Sequence, residues 1–160
     1  MATLEAPAEA RAEVERPLAS YTTLMGAFTT VFGGGIVLAG ATGRLPQRPS
    51  LVDIALAGVA AHKVSRLIAK DKVAAPLRAP FTATVVGDEG DLVDEPTGTG
   101  MRRAAGQLLT CPKCVGQWAG ASFVLGTIWS PRATRAVASV FVADAISDFL
   151  HAAYRAADRA

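Results

Sequence analysis

From Pro17 to Gly43 no residue carries a charge. That run of 27 residues exceeds the roughly 20 that a helix needs to cross the hydrocarbon core of a bilayer, and it predicts one helix from Leu18 to Ala41. Gly33, Gly34 and Gly35 interrupt it, yet in an apolar helix glycine more often permits close packing than a break, and Gly35 with Ala39 forms a small-xxx-small step. Ala39-Gly40-Ala41 resembles a signal-peptide cleavage site. The hydrophobic stretch is too long for a signal peptide, however, and Glu5, Glu9, Glu13 and Glu15 are the wrong sign for a leader's basic start, so the expected reading is an uncleaved anchor. Residues 1–16, rich in Ala, Glu and Arg, form a polar N-terminal tail.

After a proline-containing connection from Arg44 to Ser50, apolar periodicity returns from Leu51 to Ala69. At about 100° per residue, His62, Lys63, Arg66 and Lys70 fall within one arc and leave Ile54, Leu56, Val59, Val64 and Leu67 for other faces. This second helix either spans with its basic end snorkelling to the interface or lies on the membrane surface; its nearly uncharged first half favours spanning. Residues 71–107, with Pro76, Pro80, Pro96 and the acidic cluster Asp88, Glu89, Asp91, Asp94 and Glu95, read as one long polar loop. A second uncharged run, Cys114 to Pro131, holds Trp118 and Trp129, placed as interfacial aromatics would be. The third helix is expected to start at Thr110 as N-cap, with Pro112 in its first turn. Ser130-Pro131 ends it, and a fourth runs from Arg132 to Ala157.

The pattern predicts an all-α fold, a small helical membrane protein of about four hydrophobic helices with one long polar loop between helices two and three. Its parts are the tail (1–16), a first transmembrane helix (17–43) and a helical membrane domain (50–157) containing the loop 71–107. Composition agrees: 19% of residues are charged, below the roughly 25% of soluble domains. Overall hydropathy is only moderate, which keeps a soluble helical protein as the competing reading.

Charge sets an orientation. Lys and Arg number two in the tail, two in the first connection, six between Lys70 and Lys113, two at the Ser130 turn and two at the C-terminus. Four spans with both termini inside place ten positive charges in the cytoplasm and four outside, as the positive-inside rule prefers. A net charge of +2, evenly spread, leaves no footprint for nucleic acid. The chain has no Asn, hence no N-glycosylation acceptor.

Three constellations could carry chemistry. Cys111 and Cys114 stand in Cys-Pro-Lys-Cys at the start of helix three, where unpaired N–H groups and the helix dipole stabilise a thiolate, the geometry of a redox pair. As a metal site the pair supplies two of the four ligands of zinc and needs two more, from His62, His151, an Asp or a second copy. As structure, it is a small pair packing a tight helix start. Asp144, Asp148, His151 and Arg155 share one face of helix four. Acids in such a helix face a partner or a cavity; interhelical pairing with Arg66 and Lys63 satisfies both stripes, while Asp144, Asp148 and His151 are alternatively three ligands for a divalent metal. Gly116 and Gly120 form a G-x-x-x-G step for close packing within the chain or between copies. Asp71 and Arg78 read as caps and anchors at the end of helix two. No nucleophile–base set, Walker loop or zinc-protease motif is present, so no catalytic residue is assigned.

VSRLIAKDKVAAPLRAPF at Val64–Phe81 followed by LLTCPKCVGQW at Leu108–Trp118 resembles a small bacterial membrane family, domain of unknown function 1360, over residues 51–155. The resemblance implies a helical, membrane-associated bacterial protein and no activity. The combined expectation is a non-enzymatic interaction or assembly component, multi-pass in the bacterial cytoplasmic membrane with both termini cytoplasmic. Its partners are the lipid bilayer and a second copy or another membrane protein. The alternative is a membrane thiol oxidoreductase or a zinc-binding protein built on Cys111 and Cys114.

Overall fold

The computed structural model describes residues 17–48, 50–87 and 90–159. The polar tail at 1–16, and Asp88 and Glu89 of the acidic cluster, lie outside these residues. The fold is mostly helical, with one two-stranded hairpin.

The uncharged run forms one helix, α1 (Leu18–Ala41), with a π-helical segment at Thr29–Gly33 where the chain passes into its glycines. Helix α2 (Leu51–Lys70) begins at Ser50, whose hydroxyl accepts a hydrogen bond from the Asp53 N–H at 3.4 Å; it stops where Asp71 turns extended. Helices α5 (Pro112–Trp129) and α6 (Pro131–Ala157) each open on a proline, the residue that fits the first turn and cannot lie further in. Trp118 meets Phe28 and Phe32 edge-on, with ring centroids 5.2 and 5.7 Å apart, and Leu125 sits against Gly35, so α1 runs parallel to α5. Gly116 faces Ser65 and Gly120 faces Ala61, which makes α5 antiparallel to α2. Asp53 pairs with Arg135 and Lys63 with Asp144 and Asp148, so α2 and α6 run parallel. Hence α2 is the central helix, between α5 and α6. The start of α1, the end of α2, Cys111 and the end of α6 share one end of the bundle; residues 42–48, Ser50 and the Ser130 turn share the other.

The buried apolar residues are Ala39, Ala57, Ala60, Ala61, Ala69, Ala74, Ala104, Val115, Ala138 and Ala145, and among the described residues no large side chain is fully buried. Small residues fill the buried positions of the helix contacts, while large apolar side chains such as Ile36, Val37, Leu38, Ile146, Phe149 and Leu150 are exposed.

The stretch expected to be one long polar loop is instead folded into a cap. Short helix α3 (Ala75–Arg78) leads into β1 (Thr82–Val86), which pairs antiparallel with β2 (Leu92–Pro96), Thr82 opposite Pro96 and Val86 opposite Leu92. Helix α4 (Gly100–Thr110) follows. The β-branched run Thr82-Ala-Thr-Val-Val86 favours a strand, but acids and Pro96 make β2 read as loop. The start of helix three is corrected as well. Thr110 is the last residue of α4, its hydroxyl donating to the Gly106 carbonyl at 3.0 Å, and Cys111 is the N-cap of α5 with φ −100° and ψ 104°. Pro112 disfavours helical geometry in the residue before it, which places the break at Cys111.

Candidate functional site

The Cys111–Cys114 pair sits where α4 ends and α5 begins. Extended backbone at Cys111 turns its side chain back over the first turn, and Sγ accepts a hydrogen bond from the Cys114 N–H at 3.3 Å. Cys111 is half-buried, Cys114 is exposed, and both thiols are free. Burial by itself raises the Cys111 thiol, but hydrogen bonds from the Cys114 thiol and from the N–H groups of Cys114 and Lys113, helped by the Lys113 charge, bring it below the ordinary cysteine range. This is the environment that favours a thiolate at a helix start. Among the described residues no three His, Cys, Asp or Glu side chains converge as a set able to hold a metal ion.

The charged stripes of α2 and α6 meet through one lysine. Lys63 Nζ lies 3.1 Å from Asp144 Oδ2 and 2.5 Å from Asp148 Oδ2, with its own side chain only 12% exposed. Both acids of the Asp144, Asp148 and His151 trio are thus engaged by a cation. Arg66, expected alongside Lys63, is exposed and makes no ion pair among the described residues; three residues further on, it is turned about 60° from Lys63 around the helix. The Gly116 and Gly120 step packs inside the chain, 3.7 and 3.9 Å from Ser65 and Ala61 for an added Cβ.

Two polar clusters carry more than the sequence discloses. Arg78, buried to 4% exposure, donates from Nε to Asp94 Oδ2 at 2.8 Å and from a terminal nitrogen to the carbonyls of Ile68 (2.6 Å) and Asp71 (3.1 Å). It caps the end of α2, as the sequence suggests, but its carboxylate partner comes from a strand not visible as one. Thr84, directly opposite Asp94 in the hairpin, donates to the other carboxylate oxygen at 2.8 Å. At the far end, Arg135 grips Asp53 with two bonds of 2.7 Å, and Arg44 stacks over Trp129 with Cζ 4.9 Å from the ring centroid. The signal available for that pair is that Asp53 is a lone acid in an apolar half-helix and therefore needs a counter-charge.

These features define a class: a bundle of helices joined by small residues and interhelical ion pairs, capped at one end by a hairpin tied down through a buried arginine. Residues 56–154 match the family described as protein of unknown function (DUF1360), and the chain belongs to that family. No curated protein and no solved structure matches.

Proposed function

We propose that the chain is a multi-pass integral membrane protein, a four-helix bundle of α1, α2, α5 and α6 with both termini and the hairpin cap on the cytoplasmic side, serving as a non-enzymatic interaction or assembly component. The observation that carries this reading is the inverted distribution of side-chain size. Large apolar side chains such as Val37, Phe149 and Leu150 are 72%, 77% and 66% exposed while the buried apolar side chains are alanine apart from Val115. Water-soluble monomers rarely expose large contiguous apolar faces, whereas helices in lipid pack through small residues because lipid tails solvate the large ones. Helices α1 and α6 are long and apolar enough to cross a membrane, and only 6% and 11% of their most apolar windows are buried, unlike the core helices of a soluble domain. Helix α2 crosses between its neighbours with Asp53 and Lys63 neutralised by α6.

The test is extraction and topology. Alkaline carbonate should leave the chain in the membrane pellet. Reporter fusions at either terminus should behave as cytoplasmic, and one at residues 44–48 as extracytoplasmic. Release by carbonate sinks the reading; an extracytoplasmic C-terminus alone removes one span.

A second reading is favoured by the Cys111 geometry: a thiol or zinc function at the cap end. Thiol titre before and after reduction, with zinc content of wild type and Cys114→Ser, decides it. Stoichiometric zinc lost in the variant, or a titre that rises from zero to two thiols per chain on reduction, would replace the non-enzymatic reading.

A further inference from the structure

The end of the bundle opposite the cysteines holds a cavity of about 610 Å³ between residues 44–48, Ser50 and the neighbouring ends of α2, α5 and α6. Its polar rim is Arg44, Arg48 and Arg135, with Asp53 as the one acid; its floor includes Ile54, Val124 and Ile128. Asp53 is already bonded twice by Arg135, so the rim keeps an excess of two positive charges. Arg44 is held over Trp129 by its ring face, which leaves guanidinium N–H groups to donate, and Arg48 is exposed without an ion pair among the described residues. The first turns of α2 and α6 open on the same cavity through Ser50 and Pro131. Both helices direct the positive ends of their dipoles towards it, and Ser130 makes no side-chain cap bond at the start of α6.

A rim of forked donors above an apolar floor matches an amphiphile with an anionic phosphate ester. Arginine recognises phosphate oxygens in pairs. The floor continues onto outward-facing side chains, Ile54 and Val124 being 54% and 47% exposed, where acyl chains would lie. Trp129 at the same level is placed as an interfacial aromatic is. We infer that this cavity binds the phosphate headgroup of an anionic phospholipid, with Arg44 and Arg48 as its main donors and the Ile54, Val124 and Ile128 floor under its acyl chains. The inference rests on the membrane reading above.

The experiment uses the full chain in neutral detergent and follows thermal unfolding with added phosphatidylglycerol, phosphatidylcholine or inorganic phosphate. Phosphatidylglycerol should raise the midpoint in a saturable way, and the other two should not. Arg44→Gln/Arg48→Gln should weaken the phosphatidylglycerol response about tenfold or more, the scale of one to two lost charged hydrogen bonds. Arg48→Gln alone should weaken it with the lipid-free midpoint unchanged, since Arg48 holds no other element in place. Equal stabilisation by phosphatidylcholine, or an undiminished response in the double variant, overturns the site. An equal response to inorganic phosphate overturns the lipid as its source. Carbonate extraction of the membranes before detergent is added separates the two hypotheses: a chain that stays in the membrane but ignores phosphatidylglycerol sinks this inference alone, and one that leaves it sinks the membrane reading.

Discussion

The cap and the bundle are built by opposite rules. Between Asp71 and Thr110 the chain is tied by directed polar bonds: Arg78 to Asp94 and two carbonyls, Arg102 Nε to the Pro80 carbonyl at 3.0 Å, and the Thr97 N–H to the Phe81 carbonyl at 2.9 Å. In the bundle, α2 meets α5 through Ala, Gly and Ser, α1 meets α5 through Phe28, Phe32 and Trp118, and the polar links of α2 to α6 are ion pairs. On the proposed membrane reading, one chain answers to two surroundings: the cap has to exclude water from polar groups that it buries, while the bundle has to bring backbones close where burial of large side chains gives no advantage.

The largest expected effect follows from Arg78. Its side chain and that of Asp94 are 5% and 18% exposed, so Arg78→Ala leaves a half-buried carboxylate and two carbonyls without their cation, a change that costs up to about 3 kcal/mol, the low end for a fully buried pair. The cap should become protease-sensitive between Asp71 and Thr110 while α1, α5 and α6 persist. Arg78→Lys should rescue only in part, because one ammonium cannot reach all three acceptors in the same plane. The pair also sets a pH response. Arg78, then Thr84, hold the Asp94 carboxyl below its ordinary value of 3.8. Its contribution is therefore complete above that value and fades as pH falls through the lower folded one. The cap should loosen below about pH 4, and Asp94→Asn should abolish that acid-dependent component. A slope that survives in Asp94→Asn would assign it to another group.

Glycines give the next contrast. A Cβ on Gly106 would lie 2.6 Å from the Phe81 carbonyl oxygen and 3.2 Å from Pro96 Cα, both backbone, so Gly106→Ala must push α4 off the hairpin at a cost of about 1–3 kcal/mol. A Cβ on Gly120 meets Ala61 at 3.9 Å, ordinary contact. Gly120→Ala should be neutral or slightly stabilising, and only a bulky residue such as leucine should part α5 from α2. Equal losses in the two alanine variants, measured by thermal unfolding in detergent, would mean that cap and bundle do not differ in this respect.

How much of this is legible in the sequence depends on whether a feature is local. Uncharged length announces α1, and the paired proline breaks at Pro112 and Pro131 bound α5. The hairpin is not legible because its evidence is split: Thr82–Val86 has a strand's composition, but Leu92–Pro96 is acidic and ends in proline, and only the cross-strand bond from Thr84 to Asp94 with Arg78 behind it makes that acid favourable. Thr110 attracts the N-cap assignment on residue preference, yet the restraint that Pro112 places on Cys111 outweighs it. In the candidate site, Lys63, Asp144 and Asp148 are visible as stripes, but choosing Lys63 over Arg66 requires the rotation of α2 against α6. The Asp53–Arg135 pair joins residues 82 apart and has no local signal beyond the isolation of Asp53.

The smallest effect is also the one most sensitive to surroundings. Asp144 and Asp148 are 50% and 62% exposed on the protein surface, so in water their pairing with Lys63 contributes little. At the centre of a bilayer an unpaired charge costs about 2.5–3.5 kcal/mol. Lys63 stands two turns from the end of α2, and in a membrane the Lys63→Leu loss should fall between these limits. Arg66→Leu should cost much less, since Arg66 neutralises neither acid directly. Adding Asp144→Leu and Asp148→Leu to Lys63→Leu should recover part of the loss, because no charge is then left without its partner. The measurement is thermal unfolding of each variant in lipid nanodiscs and again in detergent. A Lys63→Leu loss as small as that of Arg66→Leu in both media would mean that water, not lipid, surrounds the pair, and the distinction between cap and bundle would then rest on packing alone.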